Sequence, residues 1–450
     1  MSSADRFDPI WMPFTSYRDM IDFPPLVIRK ASGIYLEDEG GNRYIDAVGS
    51  WWVSLFGHRH PRIIEAVKEQ ADRLEHVMMA GCISDTTIRL SEHLSRLLPP
   101  GLDKIFYSDN GSTAVEVSLK MALQYHIQTG NPQRREFIAL GGGYHGDTLG
   151  AMTVGDIAQY HSMFHDSFKK AHFTDPPYCF RCPCGKDTTT CAAECMDSLG
   201  ALLDKMGDVT AAMIFEPMVQ GANGMRIYPV KVLQRIFDIC RSHGILTIAD
   251  EVAMGFGRTG TMFAFEHASA VPDMMCCSKG ITGGTLPLAI TAVNKTIFEA
   301  FKGDAFSGRT FEHGHTFTGN PLACAAGCAA MELLAEYDIP RSLTAFNNRL
   351  ARRLSEFYVY DNVGDVRTLG SVGAIELVDN RATRKPPQSR KRLAFAICRN
   401  ALKRGLLLRP LGNVIYFMLP YITTEAQLDT IIGLTHESFA EEIDAYRSRA

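Results

Sequence analysis

Three stretches of the chain, residues 137–140, 211–215 and 245–249, are near-continuous apolar runs of strand length. Runs without polar alternation predict strands covered on both faces of a parallel sheet. Helical spacing lies between them. Over 112–124, Val115, Leu119, Ala122 and Leu123 recur at i, i+4, i+7 and i+8, and Glu116 and Lys120 fall on other faces. A second helix is predicted over 232–242. Strand–helix alternation predicts an α/β fold with a mostly parallel central sheet. The ends differ. Residues 26–48 predict short antiparallel strands around the Gly40-Gly41 turn. From about 330 helices mix with strands at 372–377 and 414–418. The organisation expected is a large domain over 71–329 and a smaller α+β domain from both termini, residues 1–70 and 330–450.

Of 450 residues, 46 % are hydrophobic and 21 % charged, which fits a globular protein. Lys plus Arg number 46 against 50 Asp plus Glu, a net −4, so nothing in the charge points to nucleic acid. The start lacks the basic and apolar regions of a secretory signal, and no run reaches the ~20 apolar residues of a membrane span. These features predict a cytoplasmic protein, with no membrane partner, whose twelve cysteines are mostly reduced. Arg381, Arg384, Lys385, Arg390, Lys391 and Arg392 form a basic tract without interleaved aromatics, expected to be a solvated loop.

Asp250 closes the run 245–249, the position at which open α/β sheets bind ligands. Further on, Ser278-Lys279-Gly280 follows the apolar run 274–277. A lysine desolvated there becomes nucleophilic. A buried carboxylate facing a reactive lysine is what pyridoxal phosphate needs. The lysine forms the imine, and the carboxylate keeps the pyridine nitrogen protonated so that the ring accepts electrons. Ser108-Asp-Asn-Gly-Ser-Thr113 runs small residues into a helix start and offers free N–H groups to the phosphate.

Residues 250–260, Asp-Glu-Val-Ala-Met-Gly-Phe-Gly-Arg-Thr-Gly, together with Ser278-Lys279-Gly280, resemble the signature of the class III aminotransferases, pyridoxal-phosphate enzymes of fold type I. A narrower set resembles the biotin-synthesis branch of that family. It comprises Ser50-Trp51-Trp52, Asn110-Gly-Ser112, Gly143-Tyr-His-Gly-Asp-Thr148, Val219-Gln-Gly-Ala222, Thr282-Gly-Gly284, Thr316-Phe-Thr-Gly-Asn-Pro321 and Leu408-Arg-Pro-Leu-Gly412 with Ile415-Tyr416. Members of that branch aminate 8-amino-7-oxononanoate (7-keto-8-aminopelargonate) to 7,8-diaminononanoate.

The resemblance implies residue roles. Gly111 and Ser112 hold the cofactor phosphate, helped by Thr316, with His315 beside it, from the second subunit of a homodimer. Tyr144 stacks on the pyridine ring, Asp250 pairs with its nitrogen, Val252 packs under it and Lys279 carries the imine. Glu216 orders the polar network nearby. Arg409 offers a planar fork to the substrate carboxylate, Trp51 an apolar wall, Tyr416 a hydrogen bond and Gly314 a close backbone approach. Within the same family, a transaminase for 4-aminobutyrate, ornithine or β-alanine is the alternative; the Trp51-Trp52 pair and the Arg409 context argue for the biotin branch. A regulatory or metal-binding protein on a retained fold is the third reading, opposed by the intact Asp250 and Lys279.

The branch often carries Trp-His-Pro-Tyr-Thr near its start, where this chain has Trp11-Met-Pro-Phe14-Thr15. The resemblance implies S-adenosylmethionine or lysine as the amino donor, and the hydroxyl missing at Phe14 points to a lysine-type donor. His313 with His315, and His58 with His60, do not close a metal site, and none is assigned. Cys179, Cys182, Cys184, Cys191 and Cys195 leave three readings open: a four-thiolate zinc site, an iron–sulfur site or a loop of reduced thiols.

Overall fold

The computed structural model describes Phe7 and residues 9–448; the other N-terminal residues, on which the reading of the start as free of a signal rests, lie outside the described ones. Its largest sheet has seven strands: β1 (Lys104–Ser108), β2 (Glu136–Ala139), β3 (His172–Phe173), β4 (Thr210–Phe215), β5 (Leu246–Asp250), β6 (Met274–Cys277) and β7 (Ala289–Val293). They lie in the order β1-β7-β6-β5-β4-β2-β3. All neighbours from β6 to β3 pair in parallel, and β7 runs antiparallel to β6 and β1. Every residue of β4, β6 and β7 is buried, which is why their sequences show no alternation.

The predicted strands shift by about one residue. Glu136 begins β2 because its backbone pairs with Thr210, and Asp250 ends β5 because it pairs with Cys276. Ladder pairing admits polar strand ends that an apolar pattern misses. The predicted helix 112–124 extends over Gly111–Gln128, and Ala114, Val115, Val117, Leu119 and Ala122 pack it on Ala212, Ile214 and Ile248 of the sheet.

The two ends of the chain meet. Strands Ile28–Ser32, Tyr35–Asp38 and Arg43–Asp46 pair antiparallel, and Leu406–Leu407 joins them in parallel, Leu406 opposite Ile45 and Leu407 opposite Asp46. A second antiparallel sheet comprises Val363–Leu369, Val372–Leu377, Val414–Met418 and Pro410–Leu411. Ile34 and Ile45 share one apolar core with Leu350, Ile375, Ile397, Phe417 and Phe439. Val48, Trp52, Leu55 and Phe56 already belong to the core of the large sheet.

No helix among the described residues is long and apolar enough to cross a membrane. The basic tract departs from a simple solvated loop. Arg381 donates to the carbonyls of Val363 and Tyr358 at 2.8 and 2.9 Å, and Arg392 forms an ion pair with Asp19 at 2.6 Å. These guanidiniums satisfy backbone and carboxylate acceptors that the local sequence does not reveal.

Candidate active site

The functional side chains gather where the parallel strands end, because each strand delivers the residue after it to the same edge. β1 leads to Asn110, whose side chain accepts from the Thr113 N–H while the Thr113 side chain accepts from the Asn110 N–H. This capping box leaves the N–H groups of Gly111 and Ser112 at a positive helix end. A Cβ on Gly111 would lie 2.6 Å from Cγ1 of Val252, so only glycine allows that close packing. Val252 is fixed in turn by its N–H, which donates to Oδ1 of Asp250 at 3.0 Å.

Asp250 is buried at the end of β5, and its Oδ2 lies 2.7 Å from Nδ1 of His145. The other ring nitrogen of His145 is buried without a partner among the described residues. His145 follows β2 and is a site residue to which the sequence reading gave no role. Its only signal was its place inside Gly143-Tyr-His-Gly146.

Glu216 follows β4 and accepts from the N–H groups of Tyr144 and Gly221 at 3.0 and 2.8 Å. Burial pushes its carboxyl up to about 7. Lys279 follows β6 with φ +45°, an uncommon conformation for a residue with a Cβ. Its Nζ lies 4.5 Å from the ring centroid of Trp52. Burial pulls its ammonium down to about 8, against the opposing pull of Asp250 and Glu216. Tyr144 donates its hydroxyl to Oδ2 of Asp147 at 2.7 Å, and burial holds its phenol well above its ordinary value. Gly111, Ser112, Tyr144, His145, Glu216, Asp250, Val252 and Lys279 all line one inner cavity of about 530 Å³.

Tyr144, Trp52 and Lys279 also line an outer chamber of about 1330 Å³, with Trp51, Arg409 and Phe14. Ser50, Trp51 and Trp52 have φ of 45°, 69° and 77°, three successive left-handed residues without a glycine. Such strain persists only where its surroundings hold it. Here the fully buried Arg258 donates to the carbonyls of Trp52 and Ser54 at 3.3 and 2.9 Å, and to that of Leu419 at 2.7 Å. The held segment turns Trp51 outward, where the Arg409 guanidinium stacks 4.7 Å from its ring centroid and Phe14 meets it edge-on at 5.5 Å. Phe14 also meets Tyr160 at 5.3 Å.

Four predicted residues are not in these walls. Tyr416 is fully buried in its strand behind Trp52, which it meets edge-on at 6.0 Å, and its hydroxyl is buried without a partner among the described residues. Gly314, His315 and Thr316 lie on a surface loop away from both cavities of their own chain. As for the cysteine cluster, no group of three or more metal-capable side chains converges among the described residues. Burial pushes the Cys179 thiol up to about 11 and that of Cys195 to about 12, which keeps both protonated.

A helix terminus for an anion, a buried carboxylate opposite it, and a desolvated lysine in the same cavity are the donor set that pyridoxal phosphate requires. The Gly111–Val252 approach and the unpartnered nitrogen of His145 fit a bound planar group. The class III aminotransferase model matches residues 17–438, and the chain belongs to that family. Among its relatives is the adenosylmethionine-8-amino-7-oxononanoate aminotransferase of Geobacter sulfurreducens, 42 % identical over 94 % of each chain. The crystal structure of the enzyme of that name from Methanocaldococcus jannaschii superimposes with a TM-score of 0.91 at 34 % identity, covering 97 % of this chain and 98 % of that one. An amine transaminase from an uncultivated Pseudomonas species, solved with pyridoxal phosphate bound, gives 0.91 at 32 % identity, over 96 % of this chain and 98 % of its own.

Proposed function

We propose that the protein is a pyridoxal-phosphate-dependent aminotransferase that converts 8-amino-7-oxononanoate to 7,8-diaminononanoate. The observation that carries the reading is the convergence of Asp250, Lys279 and the Gly111–Ser112 helix start in one cavity, on a chain 42 % identical to an enzyme named for that acceptor.

When bound, pyridoxal phosphate supplies an electron sink that stabilises negative charge on the carbon losing or gaining the amino group. The N–H groups of Gly111 and Ser112 hold its phosphate. The Asp250 carboxylate holds a proton on the ring nitrogen, and His145 fixes that carboxylate through its 2.7 Å bond. Val252 and Tyr144, which line the same cavity, would pack against the ring. Lys279 would hold the cofactor through its amine, which lies in the same cavity as Asp250. The same amine, brought down to about 8 by burial, would serve as the base that holds and returns a proton at the reacting carbon. Arg409 binds the acceptor's carboxylate, its planar fork fixed against Trp51. Gly314, His315 and Thr316 complete the site from a second copy of the chain, consistent with their surface position in one copy. The purified protein, given 8-amino-7-oxononanoate with S-adenosylmethionine or with lysine, is expected to form 7,8-diaminononanoate. Absence of product with both donors would overturn the reading.

A further inference from the structure

Beyond its N-terminus, the helix Gly111–Gln128 carries a polar stripe. Glu116, Lys120, Gln124 and Gln128 follow at four-residue spacing, apart from the residues that pack on the sheet. Each side chain of the stripe holds a loop. Oε1 of Glu116 accepts from the Thr148 hydroxyl at 2.6 Å and from the N–H groups of Gly150 and Ala151 at 2.7 and 3.2 Å, which fixes the turn after Tyr144 and Asp147. Lys120 donates from Nζ to Nδ1 of His313 at 2.9 Å. Burial and the Lys120 charge draw that imidazole below its ordinary value and keep it neutral, so its Nδ1 can accept. Gln124 donates to the carbonyls of Thr310 and Arg309 at 3.0 and 3.3 Å, and Gln128 donates to that of Arg309 at 3.2 Å.

These contacts matter because the second loop has little structure of its own. Between 308 and 314 its backbone makes one internal hydrogen bond among the described residues, from the His313 N–H to the Phe311 carbonyl at 2.8 Å, and most of its residues are exposed. Phe311 adds an apolar anchor, meeting Phe106 of β1 edge-on at 5.4 Å and Phe301 at 5.8 Å. Three successive turns of one helix therefore hold residues 309–313, and Gly314, His315 and Thr316 follow directly. On the far side the Thr318 hydroxyl closes a turn, donating to the His315 carbonyl at 2.8 Å and accepting from the His315 N–H at 3.1 Å. The tip is pinned at both ends, yet it lies away from both cavities of its own chain.

We propose that Lys120, Gln124 and Gln128 are positioning residues for the cofactor phosphate of the other copy. One helix binds the phosphate of its own site at its N-terminus. Through its hold on 309–313 it also sets Gly314, His315 and Thr316 for the phosphate in the second copy's site. The inference rests on the function proposed above, in which those three residues complete a second copy's site. Distance separates the two roles. Gln124 lies thirteen residues along the helix from Gly111, about 20 Å at 1.5 Å per residue, too far to touch the phosphate of its own chain. A fixed loop meets the phosphate with its conformational freedom already lost, whereas a loosened one gives up part of its binding energy to ordering. Loosening the loop on one chain therefore weakens cofactor binding on the other.

The test titrates the full chain, freed of cofactor, with pyridoxal phosphate and with pyridoxal, which lacks the phosphate. Gln124→Leu removes the amide and keeps most of the side chain's bulk; Lys120→Met, at an exposed position, serves if the leucine variant does not fold. Either should raise Kd for pyridoxal phosphate about 5- to 20-fold, the loss of one or two hydrogen bonds that order the loop. Kd for pyridoxal should stay within about twofold. Mixed dimers then show which site is affected, because borohydride is expected to link the cofactor only to a chain that has Lys279. With Gln124→Leu on one chain and Lys279→Ala on the other, half-saturation of that link should stay at the wild-type concentration. With both substitutions on one chain and none on the other, it should rise by the same factor. The opposite pattern would place the effect in the chain's own site and overturn the proposal. So would an unchanged Kd for pyridoxal phosphate, an equal rise for pyridoxal, or a wild-type protein that binds the cofactor as a monomer. A wild-type protein that binds no pyridoxal phosphate at all would instead overturn the proposed function, and this inference with it.

Discussion

The inner cavity and the outer chamber share Lys279, Trp52 and Tyr144, yet they are built in opposite ways. The inner one is made by residues at or within a few positions of the ends of β1, β2, β4, β5 and β6, so the sheet itself fixes their relative positions. The outer one is walled by segments far apart in the chain: residues 14–23, the strained Ser50, Trp51 and Trp52, and residues 386–413. A sheet edge admits little variation, because moving one residue moves the strand. A wall of loops and one helix face can change without disturbing the fold. On the proposed function, this division places reaction chemistry in the rigid cavity and substrate choice in the adaptable one.

The strongest test of the division is Lys279→Ala. The variant should lose turnover by about 10³-fold or more, and borohydride should no longer link the cofactor to the protein. Trapped cofactor on this variant would refute the assignment. Asp250→Asn comes next. It removes the carboxylate proposed to hold the ring proton, with a loss of roughly 10²- to 10³-fold in turnover and a retained melting temperature. Near wild-type turnover would end that role.

Substitution in the outer chamber should act on one substrate at a time. Arg409→Ala removes the guanidinium proposed to pair with the keto acid's carboxylate, a contact worth roughly 1.5–3 kcal/mol, and should raise KM for the keto acid about 10- to 150-fold, far more than for the donor. An equal effect on both substrates would mean that Arg409 serves the site in general. A gentler probe concerns Lys279 in cofactor-free protein. Its ammonium is drawn down to about 8, so the neutral amine predominates above that pH and is lost below it. The rate of labelling by an amine-directed reagent should follow a midpoint near 8; a midpoint at the ordinary lysine value would mean that the side chain is solvated. The smallest effect is expected from Phe14→Tyr. A hydroxyl beside Trp51 and Tyr160 should shift the preference between S-adenosylmethionine and lysine by less than about tenfold, measured as half-reactions by cofactor absorbance.

The same division sets what the sequence reveals. Asp250 and Lys279 are readable because each closes an apolar run, and the run predicts both the strand and its end. Glu216 is readable for the same reason. His145 escapes because it lies several residues beyond β2 and acts through Asp250, a contact between separate strands. Arg258 stands inside the quoted signature, but nothing local says that it holds the carbonyls of Trp52, Ser54 and Leu419. Tyr416 lies in a strand buried at every position, so its sequence shows no alternation from which the side it faces could be read. The outer wall had one available signal, the helical spacing of Arg392, Phe395 and Arg399. It lay next to a basic tract taken to be solvated.

The pairing of Leu406 and Leu407 with Ile45 and Asp46 reaches beyond catalysis to how the protein is made. A ribosome delivers the N-terminal strands first and their fourth partner only near the end of synthesis. Until then the edge of Arg43–Asp46 is unsatisfied, and the apolar side chains Ile34 and Ile45 wait for Leu350, Ile397 and Phe417. Contacts of such long sequence separation form late, and exposed edges in the meantime invite association with other chains. Nascent chains halted before residue 406 should therefore engage chaperones that the completed chain releases.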